Sequence, residues 1–462
     1  MKALPVELLI LIFAWATYGP IRDIDSIVHS IPSDSSKGAE DGIWSQTALA
    51  IKCALSCVCR QWRILSEPFL YEELWIGRGS ATLAHNLELS SSKSRRNVNL
   101  HVMRIFLPDI HDKLWHTSSG YALILRILRC CPNTAIISRN PYVSTQLDNA
   151  YIRPGESRED HCDLFSLIID AGLNNVRRLD WGGAMSRCYP RPTTVFNGSI
   201  SAFEDSIPSL EVLSLGPDNS QWQPDSTFFA TAPRVLILPN VHTLHYHSSQ
   251  NSADVIVSRA LLLPALQLLN VCGSSYRADF DTTFRHARQV RTFMIGFSSS
   301  KKPSLNNSEP LAAAHHLRRA LALCRDVEVV WYPVLAIQDF VRVIAPSVEC
   351  VGLYAKSLDD VSLRTGVVCG VRVWGPSQPY RTYSQWAWAH LLKHFTILLG
   401  SDTPFPSLQH IILHGGDWHK FITEPKFQSV TDLAKHAGVV ITYQKEMPYA
   451  SVNPLDWRRT KK

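Results

Sequence analysis

An apolar hexapeptide pattern, Φ-x-x-Φ-x-Φ with Φ apolar or aromatic, recurs along most of the chain. From Val176 onward, successive matches start 20 to 40 residues apart. The last two apolar positions alternate with one residue, which is the period of a β-strand with one buried face. The pattern predicts short strands at Val176/Leu179/Trp181, Leu210/Leu213/Leu215, Val241/Leu244/Tyr246, Leu266/Leu269/Val271, Val290/Phe293/Ile295, Val327/Val330/Tyr332, Val348/Val351/Leu353, Val368/Val371/Val373 and Leu408/Ile411/Leu413, with Tyr71/Leu74/Ile76 and Leu100/Met103/Ile105 as earlier candidates.

Amphipathic segments separate many of these predicted strands and favour helices. Alternating strands and helices predict a parallel sheet, and one such unit cannot bury its apolar side without a stacked neighbour. We therefore expect an α/β solenoid, with an ordinary doubly wound α/β domain as the alternative. The predicted helices are Cys162–Ala171, Asp254–Leu263, Pro310–Cys324, Leu335–Ala345 and Ser384–Leu399, followed by a last helix at Val430–Ala437 and a last strand at Val439–Tyr443.

The residues on either side of each middle apolar position point to the opposite face of the strand. Several of them are apolar, and one interpretation is a partner-binding surface on the concave face of a solenoid. The other interpretation is that parallel strands are covered on both faces and are therefore apolar throughout. The first interpretation assigns partner binding to Arg178, Leu268, Met294, Val329, Trp331, Arg372 and Ile412.

Two stretches near the N-terminus predict helices. The first covers residues 4–13 and begins at Pro5, a residue that suits the first helical position. The second covers residues 51–62, and the polar stretch between them, residues 17–47, predicts an inserted loop. Apolar residues recur at helical spacing in both stretches: Leu4, Leu8, Leu11 and Ile12 in the first, and Leu55, Val58 and Trp62 in the second.

Together these stretches resemble the F-box, a helical module that docks onto a Skp-type adaptor of cullin–RING ubiquitin ligases. The family pattern is Leu-Pro-x-Glu-Leu, then Ile-Φ, then Val-Cys/Ser-x-x-Trp. The long insert departs from a compact F-box, although such links are familiar in F-box-like proteins of fungi. The pattern is carried here by Leu4, Pro5, Glu7, Leu8, Ile12, Phe13, Val58, Cys59 and Trp62.

The resemblance implies a domain organisation and a set of adaptor-binding residues. Residues 1–80 would form the F-box-like module and residues 81–447 an irregular leucine-rich-repeat-like solenoid, a horseshoe. Residues 448–462 would be a basic tail. The strand repeat resembles the leucine-rich-repeat half of F-box proteins, but the Asn/Cys ladder residue is largely missing. The residues expected to contact the adaptor are Leu4, Pro5, Leu8, Ile12, Val58 and Trp62.

The N-terminal residues also have two other interpretations. Lys2, the apolar run at 8–16 and Ala14-Trp15-Ala16 look like a signal peptide with a cleavage site. Pro5 and Glu7 argue against it, because an acidic residue beside the apolar run is unfavourable there. The third interpretation is an ordinary core helix.

Composition narrows the function classes. The 462 residues are 45% hydrophobic and 19% charged, which is typical of a globular chain. No apolar run is long enough to span a membrane, and the net charge of +6 comes without a basic, aromatic-interleaved stripe for nucleic acid. The 11 cysteines include no Cys-x-x-Cys, which favours reduced core thiols and a cytoplasmic or nuclear location.

No motif in the sequence indicates catalysis, a metal or a cofactor. We find neither a glycine-rich phosphate loop nor a G-x-S-x-G elbow, and the histidines at 242, 245 and 247 are expected to be solvated on a strand. The favoured hypothesis is a non-enzymatic substrate-recognition adaptor, with a Skp-type adaptor, a cullin–RING ligase and an unidentified protein substrate as partners. The alternatives are a ligase-independent interaction scaffold and an α/β enzyme with its site at the carboxyl ends of the strands.

Overall fold

In the part of the chain that the structure describes, N-terminal helices are followed by helices and strands. The computed structural model describes residues 4–17, 28, 38–77, 79–93, 98–107, 118–139, 164–181, 208–215, 236–248, 261–273, 288–296, 317–318, 320–333, 345–354, 367–368, 371–372, 391–414 and 418–444. Its helices are α1 (Val6–Thr17), α2 (Gly38–Val58), α3 (Arg60–Tyr71), α4 (Ser80–Lys93), α5 (Ser118–Arg129), α6 (Leu164–Ala171), α7 (Trp418–Ile422) and α8 (Phe427–Ala437), and residues 391–399 are also helical.

Twelve strands form one open parallel sheet, in the order β1-β2-β3-β4-β5-β7-β9-β10-β11-β12-β15-β16. The predicted α/β class is therefore confirmed, and the sheet is compatible with a solenoid. Two further pairs lie apart from it, β6 with β8 in parallel and β13 with β14 antiparallel. The strands are β1 (Glu73–Trp75), β2 (Arg104–Leu107), β3 (Ile136–Arg139), β4 (Arg178–Trp181), β5 (Val212–Leu215), β6 (Leu236–Ile237), β7 (Thr243–Ser248), β8 (Leu261–Leu262), β9 (Leu268–Gly273), β10 (Thr292–Gly296), β11 (Val329–Pro333), β12 (Cys350–Tyr354), β13 (Val367–Val368), β14 (Val371–Arg372), β15 (His410–His414) and β16 (Val440–Gln444).

The chain divides into two compact units. The first contains Met1–His245 with Ala260–Ala265, and the second contains Tyr246–Arg259 with Leu266–Lys462. In the first unit, α5 packs against both α4 and α6. Arg126 of α5 pairs with Glu88 of α4 at 2.7 Å, and Tyr121 donates to the carboxylate of Asp170 on α6 at 3.0 Å. The helices that connect the strands are therefore joined to one another as well.

A tight turn precedes many of the strands. In the first unit the N–H of Val241 donates to the carbonyl of Leu238 at 3.4 Å, and in the second that of Leu408 donates to Phe405 at 3.0 Å. Proline occupies the second position of both turns, where its fixed φ is favourable. The residue that closes each turn is the first Φ of the sequence pattern. It is buried at Val176, Leu210, Val241, Leu266, Val290, Val327, Val348 and Leu408.

Backbone hydrogen bonds at the strand entrances align each strand with the next. The carbonyl of Ala135, just before β3, accepts from the N–H groups of Arg177 and Arg178 at 2.8 and 3.1 Å. In the second unit the carbonyl of Glu349 accepts from Gln409 and His410 at 2.9 and 3.1 Å. One carbonyl thus anchors the beginning of the neighbouring strand and determines its register.

An Asn or Ser at the third position of a turn forms a side-chain hydrogen bond to a backbone carbonyl of an earlier segment. The side-chain amide of Asn175 donates to the carbonyl of Pro132 at 3.0 Å, and the hydroxyl of Ser347 donates to that of Arg325 at 2.7 Å. The ladder residue of well-formed leucine-rich repeats is largely missing from the sequence, and these Asn and Ser residues, several of them in Pro-Asn and Pro-Ser pairs, were not predicted to take its place. Similar bonds are made by Asn133 to Leu100, Ser209 to Asn174 and Asn240 to Pro208.

Three strand predictions need correction. The match at Val368 is wrong, because Val367–Val368 and Val371–Arg372 form an antiparallel pair outside the large sheet. The earlier match at Met103 is displaced by two residues, since Leu74 of β1 is in register with Ile105. Strand β3 was missed because Ser138 and a terminal arginine interrupt its apolar pattern.

The N-terminal predictions also need correction. The expected loop at 17–47 is helical from Gly38 onward, and the second predicted helix is broken at Cys59. Cys59 has extended backbone angles, φ −161° and ψ 173°, and caps the next helix. Helix α3 continues through Pro68 to Tyr71. Pro68 has no N–H to donate to the carbonyl of Ile64, so the helix lacks one hydrogen bond there.

Most of the later helix predictions agree with the structure. Helix α6 lies within Cys162–Ala171, and α8 and β16 match the predicted last helix and strand. Helical residues at 317–318, 320–323 and 391–399 fall inside two other predicted helices. The helix predicted at Asp254–Leu263 is wrong at its C-terminal end, where Leu261–Leu262 form strand β8. Residues 334–344 and the basic tail at 448–462 lie outside the described residues.

Gly352 of β12 makes room for a tryptophan on the adjacent strand. It is in register with Trp331 of β11. A Cβ added at Gly352 would lie 2.0 Å from Cε3 of the Trp331 indole. The ring therefore lies directly over the glycine backbone, and both residues are buried.

We expect Gly352→Ala to lower the free energy of unfolding by about 2 kcal/mol, because the methyl group overlaps the indole of Trp331. Denaturant unfolding monitored by tryptophan fluorescence measures the change. Gly77→Ala is the control, since nothing lies within 4 Å of its added Cβ; it should change stability by less than about 0.5 kcal/mol. Equal midpoints for the two variants would contradict this account of Gly352.

Candidate interaction surface

Helix α1 buries only a narrow stripe of its surface. Leu9, Phe13 and Thr17, spaced four residues apart, are buried. The Thr17 hydroxyl donates to the carbonyl of Phe13 at 2.7 Å, and α1 packs against both α2 and α3. This spacing places the buried side chains on one line along the helix, facing the other two helices.

The aliphatic side chains in and beside α1 that lie off this stripe are exposed. A helix that is apolar on all sides is normally buried all round. Here one side packs on the neighbouring helices, and these aliphatic side chains face solvent. The side chains of Leu4, Val6, Leu8, Ile10, Leu11 and Ile12 have exposed fractions of 41–53%. Such a concentration of exposed aliphatic residues is typical of a surface that another protein covers.

The junction between α2 and α3 adds to this surface. The Sγ atom of Cys59 accepts from the N–H of Trp62 at 3.4 Å, and the guanidinium of Arg63 donates to the carbonyl of Ser56 at 3.2 Å. These bonds fix the break between the helices. Val58, the last residue of α2, is 58% exposed.

The predicted adaptor-binding residues divide into two sets. Leu4, Pro5, Leu8, Ile12 and Val58 are exposed. Trp62 is partly buried, and its ring packs edge-on against Phe13 at a centroid distance of 4.9 Å. Exposed apolar residues that the sequence analysis did not include in the site are Val6, Ile10, Leu11, Leu49 and Ile64. For Val6, Ile10 and Leu11, the signal was that α1 is apolar over most of its surface.

Buried charges lie where these helices join the sheet. Lys52 of α2 is buried, and burial lowers the pKa of its ammonium group while Glu73 opposes the shift. Arg104 of β2 pairs with Glu73 of β1 at 3.6 Å, and its guanidinium stacks on Phe106 at 4.3 Å. Charged side chains therefore cluster where the helices connect to β1.

Glu72 occupies the same junction between α3 and β1. Its Oε2 atom is inaccessible to solvent and has no hydrogen-bond partner. Burial raises the pKa of its carboxyl to about 8, the neighbouring Glu73 adds to the shift, and Arg104 opposes it. The group is therefore largely protonated at neutral pH.

Most of the predicted partner-binding residues on the strands are buried, although they were expected to be exposed. Within the second unit, the strand pairings place Leu268, Met294, Val329, Trp331 and Ile412 on one face, as predicted. The expected exposure is wrong for six of the predicted residues, since Arg178, Leu268, Met294, Val329, Trp331 and Ile412 are only 1–6% exposed. The alternative of strands covered on both faces describes these positions. Arg372 lies in the β13–β14 pair, and its side chain is outside the described set.

A buried polar network lies on this face in the first unit. The guanidinium of Arg178 donates from Nε to Asp180 at 2.8 Å, and Ser138 donates to the other carboxylate oxygen at 2.8 Å. Burial raises the pKa of Asp180, but the charge and hydrogen bond of Arg178 outweigh it and the net shift is downward. Arg178 also donates from Nη1 to the carbonyl of Val28 at 3.2 Å.

The described histidines and cysteines do not form a recognisable centre. His245 is buried, although it was expected to be exposed. Within the described segments, no three His, Cys, Asp or Glu side chains are placed to hold a metal ion. Cys131 and Cys324 are core thiols, and burial raises the pKa of each to about 12. The expected burial is wrong for Cys53, Cys57 and Cys59, which are exposed beside Val58.

Comparison with known proteins adds no family assignment. A scan against protein-family models matches none, and a search of curated proteins finds no significant match. Among the described residues, no helix combines the length and hydropathy needed to cross a membrane.

Glu72→Gln should remove a pH-dependent loss of stability. Folding raises the Glu72 pKa from 4.5 to about 8, so its contribution is complete below pH 4.5 and decreases as the pH rises toward 8. We expect the variant to match the parent protein at pH 4. At pH 7.5 it should be more stable by on the order of 3 kcal/mol.

Urea unfolding from pH 4 to 8.5 measures this difference. The measurement at pH 4 is the internal control, because both proteins carry an uncharged side chain at residue 72 when folded. A difference that is constant across the range would show that Glu72 ionises normally in the folded protein.

Proposed function

We propose that this protein is a substrate-recognition adaptor of a Skp/cullin/F-box ubiquitin ligase. The observation that supports it is how α1–α3 divide the residues of the F-box pattern. Phe13 and Trp62 pack together inside, whereas the aliphatic residues of the pattern face solvent. A docking module needs both sets, because one holds the helices together and the other contacts the adaptor. The outward set is Leu4, Leu8, Ile12 and Val58.

The size of this surface is sufficient for a specific interaction. Each outward side chain is about half exposed, and covering it would contribute about 1 kcal/mol. Leu11 and Ile64 extend the apolar area beyond the pattern residues. The sum is several kcal/mol before losses of translational and conformational freedom, which is the range of a hot-spot cluster.

The long insert does not separate the two halves of the module. Helix α1 packs directly on α2 and α3 although residues 18–37 intervene in sequence. The edge-on contact of Phe13 with Trp62 joins the first pattern segment to the last. The packing therefore supports docking by α1–α3 despite the departure from a compact F-box.

The sheet would supply the substrate-binding part as a leucine-rich-repeat-like solenoid. Repeated turn–strand units with Asn or Ser ties between turns support that assignment, because stacked repeats are joined mainly to their neighbours. The protein would hold its substrate close to a ubiquitin-conjugating enzyme, and its contribution to catalysis would be proximity. It would use neither metal nor cofactor and would act in the cytoplasm or nucleus.

Leu8→Ala combined with Ile12→Ala should weaken binding to a purified Skp-type adaptor at least tenfold, since about 1.4 kcal/mol of apolar contact is lost. Isothermal titration calorimetry with the full chain measures the affinity. Leu433→Ala is the matched control, because Leu433 is an exposed leucine on α8, outside the proposed surface; it should bind like the parent chain.

Circular dichroism must show that the double variant stays folded. Affinity that is equal for the double variant and the parent chain would rule out this surface. No binding by the folded parent chain would leave a ligase-independent interaction scaffold as the better account.

A further inference from the structure

Val28, between α1 and α2 in sequence, is bound on the strand face of the first unit. It is fully buried against Ala135, Ile136 and Val212, with Met103 at the edge of the group. The pairings of β3 with β4 and of β4 with β5 put Ile136, Arg178 and Val212 side by side. The aliphatic side chain of Val28 thus lies in an apolar socket on three adjacent strands.

The backbone of Val28 is held as well as its side chain. Nη1 of Arg178 donates to the Val28 carbonyl at 3.2 Å. Arg178 is oriented for this by Asp180, which accepts from its Nε and is itself fixed by Ser138. Binding surfaces hold one residue of a peptide ligand in the same way. A donor bonds to its main-chain carbonyl, and a pocket beside the donor takes its side chain.

A second arginine lies on the other side of Ile136. Arg104 is in register with Ile136 on β2. Its Nε atom is inaccessible and has no hydrogen-bond partner, and its Nη1 pairs with Glu73 at the long distance of 3.6 Å. An unsatisfied guanidinium donor is costly, and a carboxylate brought by a ligand would satisfy it.

Holding Val28 on the sheet is not needed to assemble the N-terminal helices. Helices α1, α2 and α3 already pack on one another directly. The contact instead ties the segment between α1 and α2 to Arg178 on β4, 150 residues away in sequence.

We propose that this socket is a peptide-binding site, and that Val28 occupies it as an internal competitor. Its external partner would be a protein segment that, like the helical Val28, presents a branched aliphatic side chain, with a carboxylate nearby. The aliphatic side chain would replace Val28 over Ile136 and Val212, its carbonyl would accept from Arg178, and the carboxylate would pair with Arg104. Binding would be weakened by the fraction of molecules in which Val28 fills the socket.

The test uses a peptide of the chain's own residues 22–34, which contains Val28 and two preceding aspartates. Labelled with fluorescein, it is titrated with the full chain and with Val28→Asp, and anisotropy reports binding. We expect at least tenfold tighter binding to the variant, whose charged residue 28 has left the socket. The peptide carrying Val28→Asp is the matched control and should bind neither protein.

Arg104→Gln, introduced into the Val28→Asp chain, tests whether a carboxylate of the peptide pairs with Arg104. It should weaken peptide binding at least threefold and reduce its salt dependence. Val28→Ala replaces Val28→Asp if circular dichroism shows that the charged variant is unfolded. Equal peptide affinity for the parent chain and the folded variant, or no binding to either, would overturn the proposal and leave Val28 as a core residue.

The inference does not depend on adaptor docking. Calorimetry with the Skp-type adaptor on the same proteins reports on the α1–α3 surface, whereas anisotropy reports on the socket. A chain that binds the peptide and not the adaptor would support the socket while excluding the ligase role. A chain that binds the adaptor and not the peptide would exclude the socket and leave the ligase role in place.

Discussion

Backbone hydrogen bonds at the strand entrances are the interaction on which the other features depend. A carbonyl such as that of Ala135 receives two N–H groups from the next strand, which removes any freedom of register. A shift by one residue would turn every side chain of that strand to the other face. The row of Ile136, Arg178 and Val212 exists because of this alignment, as does the placement of Trp331 over Gly352.

Much of the sheet could be predicted from the sequence because its strongest signal is local. The middle and first apolar positions of a unit are buried whatever the rest of the chain does, as at Val241 and Leu244. The prediction failed where strand pairing decides the structure. Strand β3 has a polar Ser138 because that residue bonds to Asp180 on the next strand. The Val368 match has the apolar pattern but pairs antiparallel with its neighbour.

The two faces of the sheet could not be distinguished from the sequence. An apolar residue such as Met294 fits either a binding surface or a second buried layer, and only the structure shows that it is buried. The same ambiguity affects the N-terminal helices, where Phe13 and Ile12 are adjacent and both apolar. One is in the core and the other is exposed, because the direction in which α1 meets α2 and α3 is a tertiary property.

The exposed aliphatic side of α1 has a consequence for the chain before it meets any partner. Six aliphatic side chains in and beside one helix, Leu4 to Ile12, are in contact with water in the free protein. Hydrophobic attraction between such helices increases with concentration. The free chain is thus prone to self-association and to capture by chaperones. A protein that covered that helix would raise the steady-state level of the chain in a cell.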